Sequence, residues 1–177
     1  MKRILTIVLC CHIYVISYGK IYNIKSFGAK PGNLCTKAIQ KAIDVCYRDG
    51  GGTVLVPNGN FITGTIVLRS NINLHMLSGA SLSGRLNLND YGYNSRKAGI
   101  IFCEDAEHVS ITGEGTIDAS GMNFLDTTKS HTYKEFDRQL TRQKDNYLPE
   151  GQFFSDGPYA KLPKPGMTIA FFHCNKI

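Results

Sequence analysis

Residues 101–109 read IFCEDAEHV and align without a gap on residues 169–177, IAFFHCNKI. In both stretches an apolar strand leads into a polar turn with one small residue, Ala106 or Cys174, and then to an apolar residue that begins the next strand. Repetition of one such unit is typical of a solenoid whose coils stack on each other. The first copy continues through residues 110–113 and the second stops at Ile177, so the pattern predicts that the sequence ends within a coil.

Short β segments account for most of the chain around these two copies. They are rich in Val, Ile, Thr and Phe, and short turns containing Gly, Pro, Asn or Ser separate them. The predicted strands are residues 53–56, 61–68, 71–77, 100–103, 109–112, 116–117 and 167–172. Because no crossover helices lie between them, a doubly wound α/β sheet is excluded, and an antiparallel sandwich or a parallel β-helix remains. The repeat favours the β-helix.

One strongly amphipathic helix, predicted from Thr36 to Arg48, precedes the strands. Charged side chains occupy one face, and the opposite apolar stripe consists of Ala38, Ile39, Ala42, Ile43 and Cys46. Thr36 is the predicted N-cap, and residues 49–52, Asp-Gly-Gly-Gly, are expected to end the helix. The glycine run is not a phosphate-binding loop, because it closes a helix and no Gly-Lys-Ser/Thr follows it.

The first nineteen residues have the pattern of a signal peptide. Lys2 and Arg3 precede an apolar stretch over residues 4–16, and Ser17 and Gly19 supply the small residues that a signal peptidase reads. The apolar stretch is too short to span a bilayer comfortably. The pattern therefore predicts export to the periplasm or the medium, with cleavage after Gly19 and no stable membrane insertion afterwards.

Length, composition and charge narrow the class of protein. The 177 residues suffice for one domain with a sizeable core, and 42% hydrophobic with 19% charged residues indicates a globular chain. The formal charge of +6 includes Lys2 and Arg3, and no run of basic residues follows them. This argues against nucleic acid as a partner. A polyanionic substrate is compatible with the charge but is not implied by it.

Four cysteines remain after the predicted cleavage site: Cys35, Cys46, Cys103 and Cys174. Export would place them in an oxidising compartment, where three pairings are open. On a helix over residues 36–48, Cys35 and Cys46 lie roughly 16 Å apart, and a disulfide needs Cα atoms within about 7 Å, so this pair is excluded. The absence of Cys-x-x-Cys argues against zinc and thioredoxin-type sites. We expect four small buried thiols, but the sequence does not fix their disulfide state.

Residues 122–166 differ from the rest in being polar, aromatic and irregular, with a short helix predicted over residues 133–145. An insertion of this length bulges from one face of a solenoid, often the ligand-binding face; a loop that only covers the flank is the alternative. The predicted organisation is a signal peptide over residues 1–19 and a cap helix with the first coils over residues 20–121. The insertion follows over residues 122–166, and an incomplete coil over residues 167–177.

An ordered series of motifs runs through residues 21–121 and resumes at Met167. The motifs are YNIKSFGA (22–29), TKAIQKAIDVC (36–46), GGGTV (50–54), FITG (61–64), SNINL (70–74), GASL (79–82), Asp90-Tyr91 and VSITGEGTID (109–118). In this combination the chain resembles the N-terminal part of the polygalacturonases, glycoside hydrolase family 28, in the pectin lyase-like superfamily. It departs from the family where KPGNLC (30–35) replaces a Gly-Asp-Gly-type turn and where no Trp follows Asp118.

The resemblance implies an all-β fold, a right-handed parallel β-helix with the helix over residues 36–48 capping its N-terminal end. It also implies inverting hydrolysis of galacturonosyl linkages in pectic polysaccharide, with Asp residues that protonate the leaving oxygen and activate water. The family's Asn-Thr-Asp, Asp-Asp, Gly-His-Gly and Arg-Ile-Lys motifs do not occur in this sequence. In relatives they follow the strand that would begin at Ile177. We therefore assign no catalytic residue, no metal ligand and no cofactor, and no substrate-binding residue is identifiable.

Other acidic and histidine residues have simpler explanations than catalysis. Glu104 and Asp105 adjoin in a predicted turn and are expected to be solvated, whereas Asp118 matches a structural position of the family. Asp156 lies in the insertion and has no identifiable partner. The histidines share no metal-type spacing and are expected on the surface or satisfied in the core: His75, His108, His131 and His173.

Three functions remain open. The resemblance favours a secreted polygalacturonase-like hydrolase represented by its N-terminal part, which by itself would be inactive. A non-catalytic carbohydrate-binding module is the second hypothesis, with sugars stacked on aromatic side chains of the insertion: Tyr133, Phe136, Tyr147, Phe153, Phe154 and Tyr159. A pectate-lyase-type enzyme is the third, and it would need calcium held by clustered carboxylates.

Overall fold

The computed structural model describes residues 19–91, 98–126, 160–161 and 165–177. The helix α1 spans Thr36–Arg48, and short 3₁₀ helices span Ile24–Phe27, Leu88–Asp90 and Gly121–Phe124. The strands are β1 (Ile21–Asn23), β2 (Gly52–Val56), β3 (Gly59–Thr63), β4 (Ile66–Val67), β5 (Ile72–Met76), β6 (Ala80–Gly84), β7 (Ala98–Glu104), β8 (Ser110–Gly113), β9 (Thr116–Asp118), β10 (Leu125–Asp126), β11 (Ala160–Lys161) and β12 (Met167–Phe172). Within the described ranges, no helix is long and apolar enough to cross a membrane.

Three parallel sheets run along the molecule. Sheet A has the order β1-β2-β5-β8, sheet B the order β3-β6-β9 and sheet C the order β12-β7-β4. Each coil contributes one strand to each sheet: β2, β3 and β4 form coil 1; β5, β6 and β7 form coil 2; β8, β9 and β12 form coil 3. Every pairing within these sheets is parallel, which confirms the predicted parallel β-helix and excludes the antiparallel sandwich.

The repeat seen in the sequence is the stacking register of coils 2 and 3. Ile101 pairs with Ile169 and Phe102 with Ala170. The turn repeats in the same register, because the His108 amide donates to the Asn175 carbonyl at 3.1 Å. The two aligned stretches therefore lie directly one above the other.

Side chains alternate between the core and the outer surface along each strand, as the pleat requires. In β5 and β6 every second residue is buried. The inward residues of successive coils stack in columns, such as Val54 with Leu74 in sheet A and Phe61 with Leu82 in sheet B. These four side chains have no exposed surface. The stacked columns form one continuous core, which the buried stripe of α1 joins.

The helix is formed where the sequence predicts it, and it buries Ile39, Ala42, Ile43 and Cys46. The predicted role of Thr36 is wrong. Cys35 occupies the N-cap position, and no side chain there caps the helix. The Thr36 hydroxyl instead accepts a hydrogen bond from the Gly64 amide at 2.8 Å. The Thr36 side chain therefore binds the bend between β3 and β4 and does not cap its own helix.

The chain before coil 1 covers the edge of each sheet. On sheet A, β1 pairs with β2. On sheet B, the Cys35 amide donates to the Ile62 carbonyl at 2.7 Å and the Ile62 amide to the Asn33 carbonyl at 3.2 Å. On sheet C, the Gln40 carboxamide accepts from the Val67 amide at 2.8 Å and donates to the Val67 carbonyl at 3.1 Å. The helix thus caps the β-helix by replacing a missing strand, which blunts an edge that would otherwise present unpaired groups.

The single strand predicted over residues 61–68 is in fact two strands in different sheets. The chain bends at Gly64 and Thr65, between β3 and β4. Thr63, Gly64 and Ile66 are all buried, so the bend packs against the core and does not project into solvent. A Cβ at Gly64 would collide with the Asp90 backbone, so close packing of coils requires glycine here. Sequence reasoning also missed β1 and β6.

The insertion predicted as irregular begins and ends with ordered structure. Strands β10 and β11 pair antiparallel, with Leu125 opposite Lys161 and Asp126 opposite Ala160. This pairing brings the two ends of the intervening segment together. The helix predicted over residues 133–145 lies outside the described residues, as does the predicted signal peptide apart from Gly19.

All four predicted mature cysteines are free thiols. Cys35, Cys46 and Cys103 are buried as expected, but Cys174 is only half-buried because it lies in the turn after β12. Cys35 and Cys46 stand at opposite ends of α1, as the exclusion of that pair requires.

Candidate functional site

The chain turns at three corners of the β-helix, where it passes from one sheet to the next. These corners differ in the length of the connecting segments. Between sheets A and B the connections are residues 57–58, 77–79 and 114–115, and between sheets C and A they are residues 68–71 and 105–109. Between sheets B and C they grow from residues 64–65 to residues 85–97 and then to residues 119–166. The two long connections, over residues 85–97 and 119–166, are called excursions here. Both leave the β-helix at the same corner, which we call the B–C corner.

A cleft of about 690 Å³ opens on sheet B beside this corner. We call it the corner cleft. Its walls are a polar sheet surface on one side and the start of two excursions on the other. The lining residues are Asn60, Ile62, Ser83, Gly84, Arg85, Leu86, Asn87, Asp118, Ser120 and Asn123.

The floor of the corner cleft consists of outward side chains from successive coils. Ile62 of β3, Ser83 of β6 and Asp118 of β9 occupy one register column. The Ser83 hydroxyl donates to the Asn60 side-chain oxygen at 2.7 Å. Asp118 accepts from the Ser120 amide at 2.8 Å, so this carboxylate both shapes the local turn and lines the cleft. Amide, hydroxyl and carboxylate groups on a flat sheet suit the hydroxyl groups of a sugar.

The cation of the corner cleft is Arg85, at the start of the excursion over residues 85–97. Its Nε lies 3.2 Å from an Asp90 carboxylate oxygen. The Tyr91 hydroxyl donates to the Arg85 carbonyl at 2.7 Å, and burial, followed by the nearby Asp90 charge, raises the pKa of Tyr91. These contacts hold the loop against the corner. A guanidinium fixed in this way can pair with a carboxylate of a ligand.

A second cleft, of about 680 Å³, lies on the outer face of α1. We call it the helix cleft. Lys37, Lys41 and Arg48 line it, as does Arg69, whose Nε donates to an Asp44 carboxylate oxygen at 2.8 Å. The helix cleft is the more cationic of the two, but its lining residues belong to α1 and to Arg69, and not to the excursions of the B–C corner. Sequence reasoning assigned its charged residues to a solvated helix face.

The acidic residues weighed from sequence separate in the structure. Glu104 ends β7, and Asp105 follows it at the C–A corner, where both are exposed. Asp118 lies in the corner cleft, although the sequence indicated only a structural role. Asp156 lies outside the described residues, as do the insertion aromatics proposed for sugar stacking. The corner-cleft residues Asn60, Ser83 and Arg85 were missed. Ser83 lies in β6 and Arg85 directly after it, and β6 was not predicted, whereas Asn60 lies in β3 just before the predicted strand start at residue 61.

The histidines lie on different parts of the surface. A ring nitrogen of His75 is 2.8 Å from the Thr112 hydroxyl on the outer face of sheet A. His108 and His173 lie in stacked turns, and His173 is 3.4 Å from Asp105. His131 lies outside the described residues. Among the residues that the structure describes, no three His, Cys, Asp or Glu side chains group closely enough to hold a metal ion.

Stacked parallel coils, a capping helix and a polar cleft beside the loop-bearing corner define a parallel β-helix protein of the pectin lyase-like type. The fold agrees with an exopolygalacturonase from Thermotoga maritima, with a TM-score of 0.56 at 23% identity over 88% of this chain and 39% of that one. Over part of the chain, the similarity to a curated exo-poly-α-D-galacturonosidase points more narrowly to the polygalacturonases of glycoside hydrolase family 28. No protein-family model matches the chain.

Two curated relatives cover the same share of this chain. An exo-poly-α-D-galacturonosidase from Dickeya chrysanthemi is 37% identical over 58% of the chain and 20% of the relative. Alginate lyase 7 from Azotobacter vinelandii is 32% identical over 58% of the chain and 13% of the relative. The chain thus spans a fifth or less of the length of these relatives.

Proposed function

We propose that this chain forms the N-terminal cap and first coils of a hydrolase that degrades pectic polysaccharide. The corner cleft carries this proposal, because it is the polar surface on which the long excursions of successive coils converge. The 37% identity to an exo-poly-α-D-galacturonosidase supports galacturonosyl linkages as the bonds that are cut.

In this proposal, sugar rings lie along sheet B beside the B–C corner. Arg85 pairs with a uronate carboxylate, which replaces Asp90 as its partner. Asn60 and Ser83 hydrogen-bond to ring hydroxyls, and Asp118 accepts from another hydroxyl. These residues bind and orient the polymer. The acids that cleave it are proposed to lie in polypeptide beyond this sequence, since the four catalytic motifs of the family are absent from it. The chain by itself would then bind without hydrolysing.

Export is part of the proposal. The basic start, the apolar stretch over residues 4–16 and the small residues before Lys20 support a cleaved signal peptide. We expect chains recovered outside the cytoplasm to begin at Lys20, which intact-mass measurement would show. Chains that retain Met1, or that stay in the cytoplasm, would contradict export.

Binding can be tested by electrophoresis through gels that contain polygalacturonate or a neutral galactan. We expect retardation by polygalacturonate alone. Arg85→Gln should weaken the apparent affinity by about five- to tenfold, because one charge-assisted contact is lost. Lys41→Gln removes the same charge from the helix cleft and is the matched control. Equal retardation of wild type and Arg85→Gln would refute the corner cleft, and weakening by Lys41→Gln alone would assign binding to the helix cleft.

A lyase is the second candidate, because the relative from Azotobacter vinelandii is named an alginate lyase. Hydrolysis and elimination differ in their products: both create reducing ends, but only elimination creates an unsaturated sugar that absorbs in the ultraviolet. Products of a longer protein that contains this chain should carry reducing ends without that absorbance. Ultraviolet-absorbing products, or activity that requires calcium, would favour the lyase.

A further inference from the structure

Two cysteines face each other across the stacked coils 2 and 3. Cys103 lies in β7, and Cys174 lies in the turn that follows β12. Their sulfur atoms are 3.6 Å apart. A disulfide has an S–S distance of about 2.0 Å, so side-chain rotation has to close only about 1.6 Å.

The backbone around the two sulfurs is fixed on both sides. The Asp105 amide donates to the Phe172 carbonyl at 3.1 Å, and the Asn175 amide donates to the Ala106 carbonyl at 3.0 Å. The turn after β7 and the turn that carries Cys174 are therefore held in register by hydrogen bonds that do not involve the thiols. The register of the two coils brings the sulfur atoms together, so their contact does not require movement of the backbone.

The other two thiols have different surroundings. Cys35 Sγ lies 3.2 Å from the carbonyls of Lys30 and Asn33, to which it donates. Cys46 is fully buried on the inner face of α1. Among the described residues, Cys103 and Cys174 are the cysteines whose sulfur atoms lie in contact. Oxidation therefore favours one disulfide, between these two residues.

We propose that Cys103 and Cys174 are a disulfide site that fastens coil 3 to coil 2. The ring closed by this bond contains β8, β9 and the whole excursion over residues 119–166 at the B–C corner. A cross-link here would keep coil 3 stacked while that excursion is engaged with a ligand. The inference does not depend on the proposed substrate; it needs only an oxidising environment, which the proposed export would supply.

The chemistry needs an external disulfide, such as oxidised glutathione, as oxidant. The half-buried Cys174 reacts first: its thiolate attacks one glutathione sulfur, the glutathione S–S bond breaks, and one glutathione thiolate leaves. Cys103 then loses its proton and attacks the Cys174 sulfur, and the second glutathione leaves. Two electrons pass from the protein to glutathione, and the two thiol protons end on the two glutathione thiols.

The second step is expected to be slow. Burial, followed by the hydrogen-bonding contact with Cys174, raises the pKa of Cys103 to about 12. Its thiolate is therefore scarce at neutral pH. A mixed disulfide at Cys174 should accumulate briefly before the ring closes, and ring closure should accelerate as the pH rises.

Peptide mapping of the full chain tests the site directly. Trypsin places these four thiols in separate peptides, residues 26–37, 42–48, 98–129 and 162–176, and it leaves Cys10 and Cys11 of the predicted signal peptide together in residues 4–20. After incubation of the folded protein with excess oxidised glutathione, free thiols are alkylated in acid and the unreduced protein is digested. We expect peptide 98–129 joined to peptide 162–176, in a monomer whose mass lacks two hydrogen atoms. Peptides 26–37 and 42–48 should carry the alkylating group.

Two outcomes would overturn the proposal: alkylated peptide 98–129 after long incubation, or a cross-link that joins two chains. Oxidation should also raise the melting temperature of the wild type by roughly 5–10 °C, since the bond closes a long loop. Cys174→Ser is the matched control, because Cys174 is half-buried and its replacement disturbs the core little. Its melting temperature should not respond to the oxidant. A wild type that is equally unresponsive would contradict the fastening role.

Discussion

The contact between Gln40 and the edge of sheet C gives a direct test of how the helix caps the fold. The carboxamide makes two hydrogen bonds with the backbone of Val67, of 2.8 and 3.1 Å, and donates to an Asp44 carboxylate oxygen at 3.1 Å. Gln40→Met keeps the length and helix propensity of the side chain but removes every polar group. The amide and carbonyl of Val67 then lose their partner.

The magnitude follows from the number of bonds lost. Each net hydrogen bond contributes about 0.5–1.5 kcal/mol, so loss of the pair to Val67 should lower the free energy of unfolding by about 2 kcal/mol. For a chain of this length, that corresponds to a fall in melting temperature of roughly 4–8 °C. Val67 is half-buried, so water replaces the carboxamide only in part.

Urea unfolding at 25 °C measures the effect, with equal m-values for wild type and variant as the condition for comparing midpoints. Lys41→Met is the control, because Lys41 is exposed on the same helix and contacts no strand backbone in the described structure. We expect the control to stay within about 0.5 kcal/mol of wild type. A Gln40→Met variant as stable as the control would refute the idea that Gln40 substitutes for a missing strand.

Two further predictions concern coil stacking and one surface hydrogen bond. Gly113→Ala should destabilise by about 3 kcal/mol or more, because φ is +101° and a Cβ would collide with the backbone of the neighbouring coil. Gly32→Ala, with φ of +79° and open space around it, should cost only about 1 kcal/mol, and equal losses in urea unfolding would contradict the stacking argument. The Tyr22 hydroxyl donates to the Asp49 carboxylate at 2.7 Å, which raises the pKa of Tyr22 to about 12 and lowers that of Asp49. Asp49→Asn should therefore return the Tyr22 pKa toward 10 in an ultraviolet titration referenced to Tyr22→Phe; an unchanged pKa would disprove the contact. The stabilisation from Asp49 should be present above its unfolded pKa of about 4 and lost as pH falls through its lower folded value.

The helix and the repeat of one coil unit were predictable because local rules govern them. A 3.6-residue apolar period identifies α1 from thirteen residues alone, and an ungapped repeat has to stack on itself if each copy forms one rung. Strand β6 was missed although Ala80, Leu82 and Gly84 alternate with two serines, because a glycine next to small residues is also typical of a turn. The bend inside residues 61–68 was missed because its Thr-Gly-Thr stretch is short and apolar residues continue on both sides of it.

The corner cleft was not predictable from one sequence. Asn60, Ser83 and Asp118 are far apart along the chain and become neighbours only because coils of unequal length stack in register. The same holds for Cys103 and Cys174, whose contact depends on the pairing of β7 with β12.

The sequence by itself determined that the chain winds into coils, where its helix lies and which face of that helix packs on the core, because periodicity and repetition are local properties of the polypeptide. Only the tertiary structure decided which outward side chains share a surface, which corner carries every long excursion and which two thiols meet. Those features depend on the register between strands from different coils, and that register is set by packing along the whole stack.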